Sequence, residues 1–84
     1  MKIAFSAQAW DDYLHWQESD KKRLLRVNAL IKECARTPIQ GIGKPELLRG
    51  ALAGWWSRRI DQEHRLVYRA RDGNLEIAQC RYHY

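Results

Sequence analysis

The stretch from Trp55 to Tyr84 constrains the fold of this chain more than any other, because it alternates with a period of two around one strong turn. Leu66, Tyr68 and Ala70 fall on one face of a strand, and Arg65, Val67, Arg69 and Arg71 on the other. Asp72-Gly73-Asn74 supplies a hairpin turn, since glycine takes the positive φ that tight turns demand. Beyond it, Ala78, Cys80 and Tyr82 share one parity, and Gln79, Arg81 and His83 the other. Upstream, Trp55 to Asp61 reads as a strand that turns near Gln62-Glu63 into His64 to Arg71. The region is expected to form a meander with one face for a core and an open basic face carrying an imidazole at its rim. Arg58 resists this pattern, because it shares parity with Trp56 and Ile60. Either it enters the core and finds a carboxylate there, or a bulge shifts the register.

The first half reads as helical. Lys2 to Phe5 is a short apolar run suited to one strand, after which Ser6 can cap a helix. Trp10, Tyr13, Leu14 and Gln17 follow at helical spacing, with Asp11, Asp12 and His15 on the outer arc. Ser19 or Asp20 can cap a second helix, whose stripe is Leu24, Val27, Ile31 and Cys34, widened by Leu30. Thr37-Pro38 stops it, because the residue before a proline disfavours helix. Four of the five glycines (Gly41, Gly43, Gly50 and Gly54) then break the pattern into a loop with at most one short strand. The expected architecture is α+β: two N-terminal helices on one face of a small, mainly antiparallel sheet.

At 84 residues the chain is expected to be one domain over positions 1–84, too short for two cores. Its net charge of +5 favours an anionic partner such as nucleic acid or an acidic protein. No run reaches the twenty or so apolar residues of a membrane span, and no signal-peptide core follows Met1, so no membrane partner and a cytoplasmic location are expected. Cys34 and Cys80 lack CxxC spacing and are expected to pack as small buried residues. Trp10 and Trp56 are assigned to the core.

A cationic face suits a polyanion with a cleavable phosphodiester, and RNA is the leading candidate. Cleaving RNA without a metal needs a base, cations for the phosphorane and an acid for the leaving oxygen. His15, His64 and His83 have no metal-binding spacing, and neither a GxSxG elbow nor a P-loop is present, so no metal and no cofactor are expected. His83 can donate a proton near neutral pH, or it is a surface ring. Arg65 can fork onto two phosphate oxygens, or it pairs with a cross-strand carboxylate. Glu46 becomes a base only if its loop folds over the sheet toward Arg65 and His83. Lys44, Arg49, Arg58 and Arg59 are candidate contacts to a phosphate backbone.

Longer ordered stretches sharpen this reading. W-D-D-Y, W-Q-E-S-D-K, R-T-P, G-K-P-E, W-S-R-R-I, E-H-R-L-V-Y and C-R-Y-H-Y run from the first helix to the end of the sequence. With them the chain closely resembles the YoeB toxins, ribosome-dependent mRNA endonucleases of the RelE superfamily of bacterial toxin–antitoxin systems. The resemblance implies a RelE-like, microbial-RNase-like fold and an endoribonuclease that cuts mRNA in the A site of the 70S ribosome and so inhibits translation. Glu46 would be the general base toward the ribose 2′-hydroxyl, Arg65 the stabiliser of the phosphorane, and His83 the acid for the 5′-oxygen. Tyr84 would orient substrate and acid, and Arg59 would support the phosphate. Where this chain has Arg49 the family often has lysine, which keeps the charge and changes the fit. A 2′,3′-cyclic phosphate product, a YefM-like antitoxin with an acidic tail, and a homodimer are implied as well. Two rival readings stand beside this one: a non-catalytic RNA- or ribosome-binding module, and a co-repressor that meets operator DNA only through its antitoxin complex.

Overall fold

The computed structural model describes all 84 residues. Strand β1 (Lys2–Phe5) leads into helix α1 (Ala7–Ser19) and helix α2 (Lys21–Arg36). A loop then carries the two-residue strand β2 (Glu46–Leu47) and a 3-10 turn (Gly50–Leu52). Strands β3 (Trp56–Arg59), β4 (Arg65–Arg71) and β5 (Asn74–Gln79) complete a five-stranded sheet in the order β1-β5-β4-β3-β2. Strand β1 runs parallel to β5, and every other pair is antiparallel. The two helices cover one face of a mainly antiparallel sheet, as the sequence predicts.

Local chemistry explains the boundaries. Ser6 caps α1 by accepting from Ala9 N–H at 3.0 Å, and Asp20, rather than Ser19, caps α2 through Arg23 N–H at 3.0 Å. Asp72 and Gly73 both take positive φ (53° and 76°), which makes the two-residue turn between β4 and β5 match the twist of its strands. Gly43 also needs its identity. Its φ is +83°, and a Cβ there would come within 2.8 Å of Leu30 Cδ2 and 3.1 Å of Arg58 Cβ. That close approach presses the loop before β2 onto α2 and β3.

The core joins Val27, Leu30, Ile31 and Cys34 of α2 to Leu66, Tyr68, Leu75 and Ile77 of the sheet. Both cysteines are buried and unbridged, and burial raises the Cys34 thiol to about 11 and the Cys80 thiol to about 12.

Three expectations need correction. On α1 the buried face is Ala9, Asp12 and Trp16, whereas Trp10 is 48% exposed. Trp10 lies outside because it stacks on Tyr13 (5.8 Å, 9°) and meets Phe5 edge-on, an aromatic cluster that needs no core. Trp56 is only partly buried, packed against the core. Second, the apolar parity of β5 switches at a bulge: Tyr68 pairs with Ile77 but Val67 with Gln79, so Leu75, Ile77 and then Cys80 face inward. Third, the face away from the helices is not open throughout. Ser57, Arg65 and Val67 are buried there, and the segment after β5 turns back alongside them.

Candidate active site

Register assembles the site. Glu46 of β2 lies directly opposite Ser57 of β3, and Arg59 lies opposite Arg65 of β4. Directly paired residues share a face, and so do residues two apart on one strand, so Glu46, Ser57, Arg59 and Arg65 form one block on the helix-free side. Lys44 precedes this block with φ at 53°, held by the Gly43 turn, whose carbonyl accepts from Arg59 N–H at 2.7 Å.

The segment after β5 closes the site. Tyr82 takes φ of +66°, Arg65 N–H donates to its carbonyl at 3.0 Å, and its own N–H donates to His64 Nδ1 at 2.8 Å. This reversal returns His83 and Tyr84 over β3. The Tyr84 hydroxyl lies 3.2 Å from Ser57 Oγ and donates a long bond (3.5 Å) to Glu46 Oε1. His83 packs against the Tyr84 ring at 4.7 Å and remains exposed. The result is a cleft of about 450 Å³ whose walls include Lys44, Glu46, Arg59, Arg65, His83 and Tyr84. Three fixed cations face one carboxylate and one imidazole, a balance suited to an anionic ligand.

Arg65 is set like a bracket. Its Nη1 donates to the carbonyls of Asp61 (2.7 Å), Gln62 (3.2 Å) and His64 (3.1 Å). It has no carboxylate partner, so the cross-strand ion pair does not form, and its other guanidinium nitrogens make no hydrogen bond within the chain. The loop that accepts those bonds is itself braced. Asp61 receives the N–H groups of Glu63 and His64 and the Arg23 Nε, and these hold its carboxyl below the ordinary range despite the upward push of burial.

Two of the expected cationic contacts lie elsewhere. Arg58 is fully buried on the opposite side of β3, where it meets no carboxylate and no bulge displaces it. Its donors go to the Tyr68 hydroxyl (2.9 Å) and to the carbonyls of Ile42, Gln40 and Thr37. Carbonyl oxygens, rather than a counter-charge, satisfy it. Arg49 stands at the start of the 3-10 turn and does not line the cleft. Farther along the face, Arg69 and Arg71 share Glu76, which leaves Arg59 and Arg65 as the strand arginines that line the cleft.

Ser57 and His64 are the residues that sequence reasoning missed. Ser57 could have been found from parity with Arg59; the His64 side chain reaches the site through the turn at Tyr82, which no periodicity announces.

Comparison with known proteins identifies the family. Residues 5–84 match the family described as YoeB-like toxin of bacterial type II toxin-antitoxin system. The chain is 57% identical to the toxin YoeB of Escherichia coli strain K12 over 84 residues, all of both chains. It superposes on the YoeB dimer from Staphylococcus aureus with a TM-score of 0.93 at 48% identity, covering 100% of this chain and 98% of that one. The heterotetrameric YoeB-YefM toxin-antitoxin complex from the same organism gives 0.92 at 48% identity, with the same coverage. Agreement over essentially the whole length, in sequence and in backbone, settles the family: the chain belongs to the YoeB-like toxins of bacterial type II toxin–antitoxin systems.

Proposed function

We propose that this protein, acting as one domain over residues 1–84, is a ribosome-dependent endoribonuclease that cleaves mRNA in the A site by acid–base chemistry. The observation that carries the reading is the convergence of Glu46, Arg65, His83 and Tyr84 on one cleft from β2, β4 and the segment after β5. In this mechanism Glu46 accepts the proton of the ribose 2′-hydroxyl as that oxygen attacks the adjacent phosphorus. The free edge of the Arg65 guanidinium, with Arg59 and Lys44 beside it, neutralises charge developing on the non-bridging oxygens. His83 gives its proton to the departing 5′-oxygen, and a 2′,3′-cyclic phosphate remains. Substrate entry displaces the long Tyr84–Glu46 contact, which frees the carboxylate and leaves the phenol to orient the nucleotide.

The same basic cleft suits the acidic tail of an antitoxin, so inhibitor and message would compete for one surface. A YefM-like antitoxin and a homodimer are the assemblies we assign to this chain, by analogy with those of the Staphylococcus aureus relative. Operator DNA would be reached only through the antitoxin complex, and the site of action is the cytoplasm.

The test is cleavage of ribosome-bound mRNA by the parent protein and by Glu46→Gln and His83→Gln. Each variant is expected to bind ribosomes normally and to cut roughly 10²–10⁴-fold more slowly. Uncut message with the parent protein, despite binding, would establish an occupancy mechanism instead.

A further inference from the structure

We propose that His64 is a positioning residue for this site: the unprotonated Nδ1 of its buried ring anchors the turn at Tyr82 and so sets where His83 and Tyr84 stand. The link to cleavage rests on the nuclease reading; the anchoring itself does not.

A left-handed φ of +66° is unfavourable for a ring-bearing residue such as tyrosine and persists only where surrounding bonds over-determine it. Tyr82 is held on both sides of its Cα, through the two peptide units that flank it. Its carbonyl accepts from Arg65 N–H, and its N–H donates to His64 Nδ1 at 2.8 Å. A backbone N–H can only donate, so Nδ1 must be the acceptor and the ring proton sits on Nε2. Nε2 in turn faces Glu63 Oε1 at 3.6 Å, which favours that tautomer. The ring stands edge-on to Trp16 at 4.8 Å and 78°. Trp16 Nε1 donates to Cys80 O at 2.8 Å, while Asp12 Oδ2 accepts from Cys80 N–H at 3.1 Å. Trp16 of α1 thus meets the imidazole with its ring and the start of the turn with its Nε1.

His64 also bears on the guanidinium. Its carbonyl is one of the three that Arg65 Nη1 contacts, and its N–H ties to Asp61. One residue therefore holds the phosphate-binding arm through its main chain and the segment bearing the acid through its side chain. Misplacing catalytic groups by about 1 Å can lower a rate roughly 10²-fold, so loss of the Nδ1 acceptor should reach the chemistry without touching substrate.

The experiment compares His64→Asn with His64→Phe. Asparagine places an oxygen near the Nδ1 position and forfeits the ring; phenylalanine keeps the ring against Trp16 and forfeits the acceptor. Single-turnover cleavage, ribosome affinity and thermal midpoint are measured for each, with the ¹⁵N shift of His64 Nδ1 and the Tyr82 amide signal in the parent. The expected result is a crossing. His64→Phe retains stability and affinity but cuts about 10²-fold more slowly, while His64→Asn, though less stable, recovers most of the rate. Phenylalanine cutting as fast as the parent, or both variants losing rate in step with stability, would reduce His64 to packing and overturn the proposal. A protonated Nδ1 in the parent overturns it too, whether or not either variant folds. If the parent itself does not cut, the nuclease reading fails, and the two NMR signals alone decide whether the anchor exists.

Discussion

Arg58 and Arg65 lie one residue out of register on neighbouring strands, yet they face opposite sides of the sheet. Both are buried, both lack a carboxylate, and both donate to backbone carbonyls. On the helix side, carbonyls from Thr37 to Ile42 and the Tyr68 hydroxyl surround the Arg58 guanidinium. On the cleft side, three carbonyls take one nitrogen of Arg65, and its others make no hydrogen bond within the chain. A buried cation is therefore no sign of a binding site in itself. Unspent hydrogen-bonding capacity, aimed at solvent, separates the two.

The contrast can be broken in three places. Arg58→Ala strands several buried acceptors at once and should destabilise the protein by about 4 kcal/mol or more, read as a shift in the urea midpoint. A variant that stayed folded with little change would remove the structural half of the comparison. Arg65→Ala should leave a folded protein that binds ribosomes and cuts about 10²–10³-fold more slowly, a loss of roughly 3–4 kcal/mol of transition-state stabilisation. Loss of affinity at unchanged single-turnover rate would make Arg65 an anchor.

The smallest effect concerns Asp12, a buried carboxylate on the helix side. Burial pushes its pKa above the usual carboxylate value, with Cys80 N–H and Arg81 pulling the other way. The folded chain then holds the proton more tightly than the unfolded chain, so this group contributes stability at low pH that is lost as pH rises through its folded-state value. Asp12→Asn keeps an acceptor for Cys80 N–H and should change stability by about 1 kcal/mol or less. Relative to the variant, the parent should lose stability from about pH 4 upward. A difference that does not vary with pH would show that Asp12 does not titrate in this way. Cleavage should be nearly unchanged if α1 acts only as a support.

Much of the fold was legible because local signals agreed with one another. The Ser6 cap, the α2 stripe, the Thr37-Pro38 stop and the Asp72-Gly73 turn are each set by a few neighbouring residues. The α1 face was misread because apolar spacing weights Trp10 and cannot know that Asp12 and Trp16 would clamp the main chain of Cys80. Parity places Arg65 on the cleft side, residue type makes Glu46 and His83 candidates, and the family resemblance adds Tyr84 and the role of each. Their meeting depends on the β2–β3 register and the reversal at Tyr82. Neither follows from periodicity, since one rests on a two-residue strand and the other on a left-handed residue that is not glycine.

The contacts that join the two ends of the molecule have a consequence for how it is made. Strand β1 pairs only with β5, Ser6 Oγ reaches Ala78 O across 72 positions, and Trp16 and Asp12 reach Cys80 across 64 and 68. Closing such long loops precedes any reward from the contacts they allow, which slows folding. A nascent chain that has emerged only as far as residue 73 lacks β5, the strand that β1 joins. Arg65 can be fully synthesised while the reversal that completes the cleft does not yet exist, so assembly of this site waits for the segment from Cys80 to Tyr84.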